Sequence, residues 1–263
     1  MKKVTVVKIG GATFGSHDNT IDDLVELQRR GELVVVVHGG GKLITDWLKK
    51  QGITSQFVGG ERVTDRATLE VVVSVLAGLV NKEIVGAINV QGGRAVGISG
   101  VDGALIEGRA QDKEMGYVGV AVKLNTILLD TLLESGFIPV IAPLGLNSVD
   151  RPTDAPTALN FNADIAAGEI AAVVSAERLI FLTDVPGIYD RSGELLPRLS
   201  SAEAEALIVF GVASGGMLPK IKACLIALSN TSTTCIIDGR QPHALLKEIE
   251  GQGSGTTIIK KRK

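Results

Sequence analysis

Apolar residues follow two rhythms along the chain. Near-continuous runs at residues 4–10 (VTVVKIG), 33–37 (LVVVV), 94–99 (RAVGIS), 137–143 (FIPVIAP), 178–183 (RLIFLT), 234–237 and 256–259 are bounded mostly by glycine, proline or polar residues. Such runs predict short strands buried on both faces of a parallel sheet. Between them, apolar positions recur every three or four residues: Ile21, Leu24 and Val25 before Gly31; Leu43, Ile44, Trp47 and Leu48 before Gly52; Leu69, Val72, Val73, Leu76, Val80 and Ile84 in a long segment opened by Thr64 or Asp65. These predict amphipathic helices with polar caps and glycine stops. Further helices are predicted from Asn125 to Gly136, over IAAGEIAAVV at 165–174, from the Ser200/Glu203 capping box to Gly211, around Lys220, and briefly from His243.

Two hairpins are expected. QFVGGERV at 56–63 turns on Gly59 and Gly60, and residues 105–109 and 117–122 alternate weakly. Residues 145–159, with prolines at 152 and 156, predict a long irregular loop of the kind that serves as a lid or binding loop. Alternating strand and helix units give an α/β fold with a mainly parallel sheet covered by helices on both sides. No linker or internal repeat divides the 263 residues.

Charge and composition narrow the function. Lys plus Arg is 27 against 29 for Asp plus Glu, and aromatic residues make up 3% of the chain, so a nucleic-acid partner is not expected. Cys224 and Cys235 lack metal-ligand spacing and read as core thiols of a reducing compartment, while His17, His38 and His243 are too scattered for zinc. The N-terminus has too short an apolar run for a signal peptide, and no stretch reads as reaching membrane-spanning length. The expectation is a cytoplasmic protein with no membrane partner.

Chemistry concentrates at a few points. The run at 33–37 enters His38, Gly39, Gly40, Gly41 and then a helix, so bare backbone and a helix N-terminus face a ligand, which favours an anion. A Walker A loop is excluded, because Val36 stands where a glycine is required and Leu43 where Ser or Thr is. A dinucleotide fingerprint fails at Ile44. Lys8 lies inside a strand ending in Gly10 and Gly11, where a cation needs a partner. Arg62 offers a bidentate clamp for a carboxylate. Asn160, Asn162 and Asp164 crowd a helix start, and Lys220 follows Ser214, Gly215 and Gly216. No nucleophile–base pair is visible. Phosphoryl transfer needs charge stabilisation and alignment, which two lysines organised by Asp164 supply, and an acceptor that is already a carboxylate requires no base.

Across nearly its whole length the chain resembles the amino acid kinase superfamily, and within it the acetylglutamate kinases of arginine biosynthesis. The segments that carry the likeness are VKIGG (7–11), VVHGGG (36–41), RVTD (62–65), LAGLVNKEIV (76–85), GISGVDG (97–103), LNFNADIAAGEIA (159–171), LTDVPGI (182–188), SGGMLPK (214–220) and IIDGRQPHALL (236–246). The resemblance implies a single three-layer αβα sandwich over 1–263, with an acceptor lobe at about 1–175 and a nucleotide lobe at about 176–263. It implies phosphorylation of the side-chain carboxylate of N-acetyl-L-glutamate by ATP with Mg²⁺. Lys8 and Lys220 would stabilise the moving phosphoryl group and Asp164 would organise them. Gly10, Gly11, Gly40 and Gly41 would offer backbone donors, and Arg62, Asn160 and Asn162 would bind the acceptor. Asp184, Val185, Pro186, Gly187, Ile188 and Tyr189, with Val212, Ala213 and Ser214, would wrap the nucleotide.

The family is usually dimeric through the long helix, so a homodimer is expected. Members with an extra N-terminal helix are arginine-inhibited, so no inhibition by arginine is expected here. A PII-type signalling partner follows by analogy only. Lys42, Glu61 and the loop at 147–158 depart from the family pattern on the acceptor side. Two other readings stay open: a kinase of carrier-protein-bound aminoadipate or glutamate, and a non-catalytic nucleotide or amino-acid sensor.

Overall fold

A computed structural model describes residues 3–10 and 18–260. Thirteen strands and nine α-helices are assigned among them. The strands are β1 (Val4–Ile9), β2 (Leu33–His38), β3 (Phe57–Val58), β4 (Glu61–Arg62), β5 (Ala95–Gly100), β6 (Ile106–Ala110), β7 (Gly119–Leu124), β8 (Ile138–Asn147), β9 (Ala158–Asn160), β10 (Arg178–Thr183), β11 (Arg198–Ser200), β12 (Thr233–Asp238) and β13 (Thr256–Ile259). The helices are α1 (Asp18–Arg29), α2 (Gly41–Lys50), α3 (Arg66–Val73), α4 (Asn81–Val90), α5 (Ile127–Glu134), α6 (Ala163–Val173), α7 (Ser201–Val209), α8 (Met217–Ala227) and α9 (Ala244–Ile249).

One large sheet runs in the order β11-β13-β12-β10-β1-β2-β8-β6-β7, with β5 and β9 also on β8. Pairing among β12, β10, β1, β2, β8 and β5 is parallel throughout. The valine runs are continuous because both faces of the sheet are covered. Val6, Val35 and Val37 pack into one apolar cluster, while Val7, Ile9, Val34 and Val36 pack into the other. From β1 the chain first builds outward through β2 and β8, then returns to place β10 on the other flank of β1. The direction of winding therefore reverses beside β1, the place where open α/β sheets bind ligands.

Residues Arg66–Val90 form one helical run of 25 residues, in which a π-helical segment, Ser74–Val80, joins α3 to α4. By length and apolar composition alone it is long enough to cross a membrane, which corrects the sequence reading. Glu70, Ser74 and Asn81 interrupt the run as letters, but the average hydropathy carries across them. Its Leu69, Val72, Val75, Leu76, Val80, Ile84 and Ile88 are buried, so it is a core helix lying between α2 and the sheet. Val71 and Val75 also face inward, while Val73 is only half-buried. Asp65 caps the run, its carboxylate accepting from the Thr68 N–H at 2.7 Å.

A second correction concerns the loop expected at 145–159. β8 continues to Asn147, and β9 folds back antiparallel on it, pairing Leu144 with Asn160. Gly145 permits this because a side chain there would collide with the Phe161 ring. The irregular stretch shrinks to about 148–157, and its base is closed by Asn147, whose amide donates to Pro156 O at 2.9 Å.

Candidate active site

Three helix N-termini converge near the carboxyl ends of β1, β2 and β8. Gly40 and Gly41 begin α2, Asn162 begins α6, and Lys220 lies in the first turn of α8. The positive ends of the first two open on a cleft of about 220 Å³, walled by Lys8, Gly40, Gly41, Arg62, Asn160 and Asn162 with apolar Ile44, Leu76, Pro143 and Phe161.

Lys8 points from β1 to Asp164 in the first turn of α6, with Nζ 2.7 Å from Oδ1. Lys220 reaches the other oxygen, with Nζ to Oδ2 at 3.1 Å. All three side chains are largely buried, at 8%, 9% and 15% exposed for Lys8, Asp164 and Lys220. Burial alone would raise the Asp164 carboxyl; the two ammonium charges outweigh it and hold the group below the usual carboxylate range. The aspartate is thus a fixed anion that holds two cations from the two ends of the chain. Together the three groups carry one surplus positive charge.

Arg62 is 8% exposed, burial lowers its pKa, and it has no carboxylate partner among the described residues. Its guanidinium donates to Ser55 Oγ at 2.6 Å, Thr45 Oγ1 at 2.8 Å and Gly41 O at 3.0 Å, and it lies over the Phe57 ring, 4.7 Å from the centroid. A buried guanidinium held only by neutral groups in a cleft is a receptor for an anion. Asn160 donates to Thr64 Oγ1 at 3.0 Å, and Asn162 caps α6 by accepting from the Asp164 and Ile165 N–H groups.

The structure therefore brings together Lys8, Lys220, Asp164, Gly40, Gly41, Arg62, Asn160 and Asn162. It does not place the expected nucleotide residues in the cleft. Asp184, Val185, Pro186, Gly187, Ile188 and Tyr189 form the loop leaving β10, and Val212, Ala213 and Ser214 lead into α8. Three details differ from the sequence expectation. The Gly10 N–H donates to Leu182 O at 3.0 Å, so it is committed to strand pairing and is not free for a phosphate. Ile188 is 2% exposed with its N–H on Thr256 Oγ1, so it anchors its loop from below and presents no surface to a ligand. The N–H groups of Val212 and Ala213 both go to Leu207 O. Gly11 lies outside the described residues. Ser55, Thr45 and Phe57, which hold Arg62, went unmarked in the sequence, because two hydroxyls and a ring carry no signal until the hairpin folds over α2.

Residues 3–238 match the profile of the Amino acid kinase family. The chain is 46% identical over 255 residues to the acetylglutamate kinase of Dehalococcoides mccartyi strain CBDB1, covering 97% of this chain and 94% of that one. It is 47% identical over 266 residues to the acetylglutamate kinase of Nostoc sp. PCC 7120, covering 98% and 88%. Among solved structures it superposes with a TM-score of 0.85 and 26% identity on N-acetylglutamate synthase from Neisseria gonorrhoeae complexed with coenzyme A and N-acetyl-glutamate, covering 99% of this chain and 60% of that one.

Proposed function

The chain belongs to the amino acid kinase family, and from that premise we infer that it transfers the γ-phosphoryl group of ATP to the side-chain carboxylate of N-acetyl-L-glutamate, giving N-acetyl-L-glutamyl 5-phosphate in arginine biosynthesis. The observation that carries the reading is one buried carboxylate fixed between two lysines, beside a cleft that holds an arginine without a carboxylate partner among the described residues. Lys8 and Lys220 meet the charge that develops on the moving phosphoryl oxygens, and Asp164 keeps the two ammonium groups in place. Arg62 takes the α-carboxylate of the acceptor, Asn160 and Asn162 its amide region, and Gly40 and Gly41 offer backbone N–H groups. The acceptor oxygen is already anionic, so the reaction requires no general base.

The nucleotide lies along the loop from Asp184 to Tyr189 and the segment from Val212 to Ser214. Gly11 offers it a backbone N–H, while the Gly10 N–H stays on Leu182 O. Among the described residues no cluster of three or more His, Cys, Asp or Glu side chains could hold a metal, and Asp164 is taken by the lysines. Mg²⁺ fits this site as a companion of the ATP phosphates, whose charge it neutralises. The acceptor lobe comprises about 1–175 and the nucleotide lobe about 176–263. A homodimer uses the outer face of the long helical run, where Leu79 and the neighbouring Trp47 are 44% and 36% exposed. The buried free thiols of Cys224 and Cys235 suit a cytoplasmic setting.

The test is acyl phosphate formation, trapped with hydroxylamine, from Mg-ATP and N-acetyl-L-glutamate, free glutamate, aspartate or N-acetyl-aminoadipate. Turnover on N-acetyl-L-glutamate far above the other three is expected. Silence on all four while ATP still binds would overturn the acceptor assignment and return the carrier-bound and sensor readings.

A further inference from the structure

We propose that His38, Asn81 and Lys82 form a positioning relay that turns the Gly39–Gly40 peptide so that the Gly40 N–H faces the acceptor. The proposal deepens the kinase reading and rests on it. It begins at Lys82, whose ammonium can only donate; it does so to Asn81 Oδ1 at 2.9 Å and to Gly97 O at 3.1 Å. That contact fixes which way the Asn81 amide points. Its Nδ2 then donates to Val140 O at 2.9 Å, and its second hydrogen lies between His38 Nε2 at 3.2 Å and Ile98 O at 3.3 Å.

Nδ1 lies 3.0 Å from Gly39 O, which can only accept, so the ring proton sits on Nδ1 and Nε2 is left to accept from Asn81. The ring has 0% exposure, and burial, reinforced by the charges of Lys8 and Lys82, pulls it down to about 4, so it is neutral and keeps this single tautomer at working pH. In a trans peptide the C=O and the next N–H point in opposite directions, and the described residues contain no cis bond. With the Gly39 carbonyl drawn onto His38, the Gly40 N–H is turned the other way.

Gly40 lines the cleft, and its N–H has no hydrogen-bond acceptor among the described residues. A side chain at Gly40 would stand 2.7 Å from Leu76 Cδ2, so the backbone itself is the surface offered there. Asn81 lies where the π-helical segment passes into α4 and is 1% exposed, so it is locked to β8 as well as to His38. The relay thus sets a donor in advance for an anionic oxygen of the phosphoryl group or of the acceptor carboxylate.

Two isosteric replacements separate this role from packing. The amide nitrogen of Asn occupies the place of Nδ1, and that of Gln the place of Nε2. H38N is expected to retain kcat with N-acetyl-L-glutamate within about threefold, whereas H38Q and H38L lose about 10²-fold, the scale of one oxyanion donor, with KM for ATP unchanged. Equal losses in all three variants would reduce His38 to packing and overturn the proposal. If H38L does not fold, the ring ¹⁵N–¹H spectrum of the wild-type protein decides independently: a proton on Nδ1 is expected, and one on Nε2 overturns the relay. An inactive wild-type enzyme would sink the kinase reading instead and leave the tautomer assignment standing.

Discussion

At the scale of single residues, the site depends on charges that compensate one another inside the protein. Removing one member of a buried ion pair leaves an uncompensated charge, which costs about 3–5 kcal/mol. The D164N variant is therefore expected to lose both turnover and about 3 kcal/mol of stability, because Lys8 and Lys220 then face each other with no anion between them. The double variant K8M/D164N is expected to regain part of that stability, since only the more exposed Lys220 is left unmatched, and none of the turnover. Chemical denaturation and the hydroxylamine assay on the same preparations check this. Recovery of activity in the double variant would place Lys8 outside the chemistry.

At the scale of elements, α6 carries Asp164 and is capped by Asn162, so one side chain serves the helix and the cleft together. N162A removes the cap and is expected to cost about 1 kcal/mol in a denaturant midpoint. N162D keeps an acceptor for the Asp164 and Ile165 N–H groups, so its stability should stay within about 0.5 kcal/mol of wild type while KM for the acceptor rises several-fold, since the cleft then meets an anion with an anion. Matching stability losses in the two variants would remove the capping argument.

Most elements were legible because local rules and tertiary context agree. The Ser200/Glu203 capping box, the Gly59–Gly60 turn with both residues at positive φ, and the last strand at 256–259 stand where the pattern puts them. The gathering of Lys8, Asp164 and Lys220 followed from their chemistry and the family likeness. Hidden were features made by contacts distant in sequence: the extension of β8, which pairs with β9, and the hydroxyls that hold Arg62.

At the scale of the whole molecule, acid should weaken the fold in two steps. His38 is held neutral with a pKa near 4, against about 6.5 unfolded. Above pH 6.5 it contributes nothing to the slope. As pH falls from 6.5 toward 4, the unfolded chain takes up a proton that the fold refuses, and roughly 3 kcal/mol is lost at 1.36 kcal/mol per unit. Asp164, lowered by its lysines, contributes stability above the ordinary carboxylate range that is lost only as pH falls through its folded value. Urea midpoints at pH 7, 5.5 and 4.5 should decline in the wild-type protein and decline less in H38N; parallel declines would clear His38 of the effect.

The place of β1 in the sheet also bears on how the chain is made. Its partner on one side, β2, follows within some thirty residues, but the partner on the other, β10, begins at Arg178. While the chain leaves the ribosome, a valine-rich strand waits with one backbone edge open, an invitation to pair with another nascent copy. Lys8 sits near the carboxyl end of that strand, and until Asp164 has been synthesised its charge is unmatched. A bare ammonium on a waiting edge discourages foreign strands, so the lysine proposed here to meet the phosphoryl group is also placed to guard the unfinished chain against aggregation.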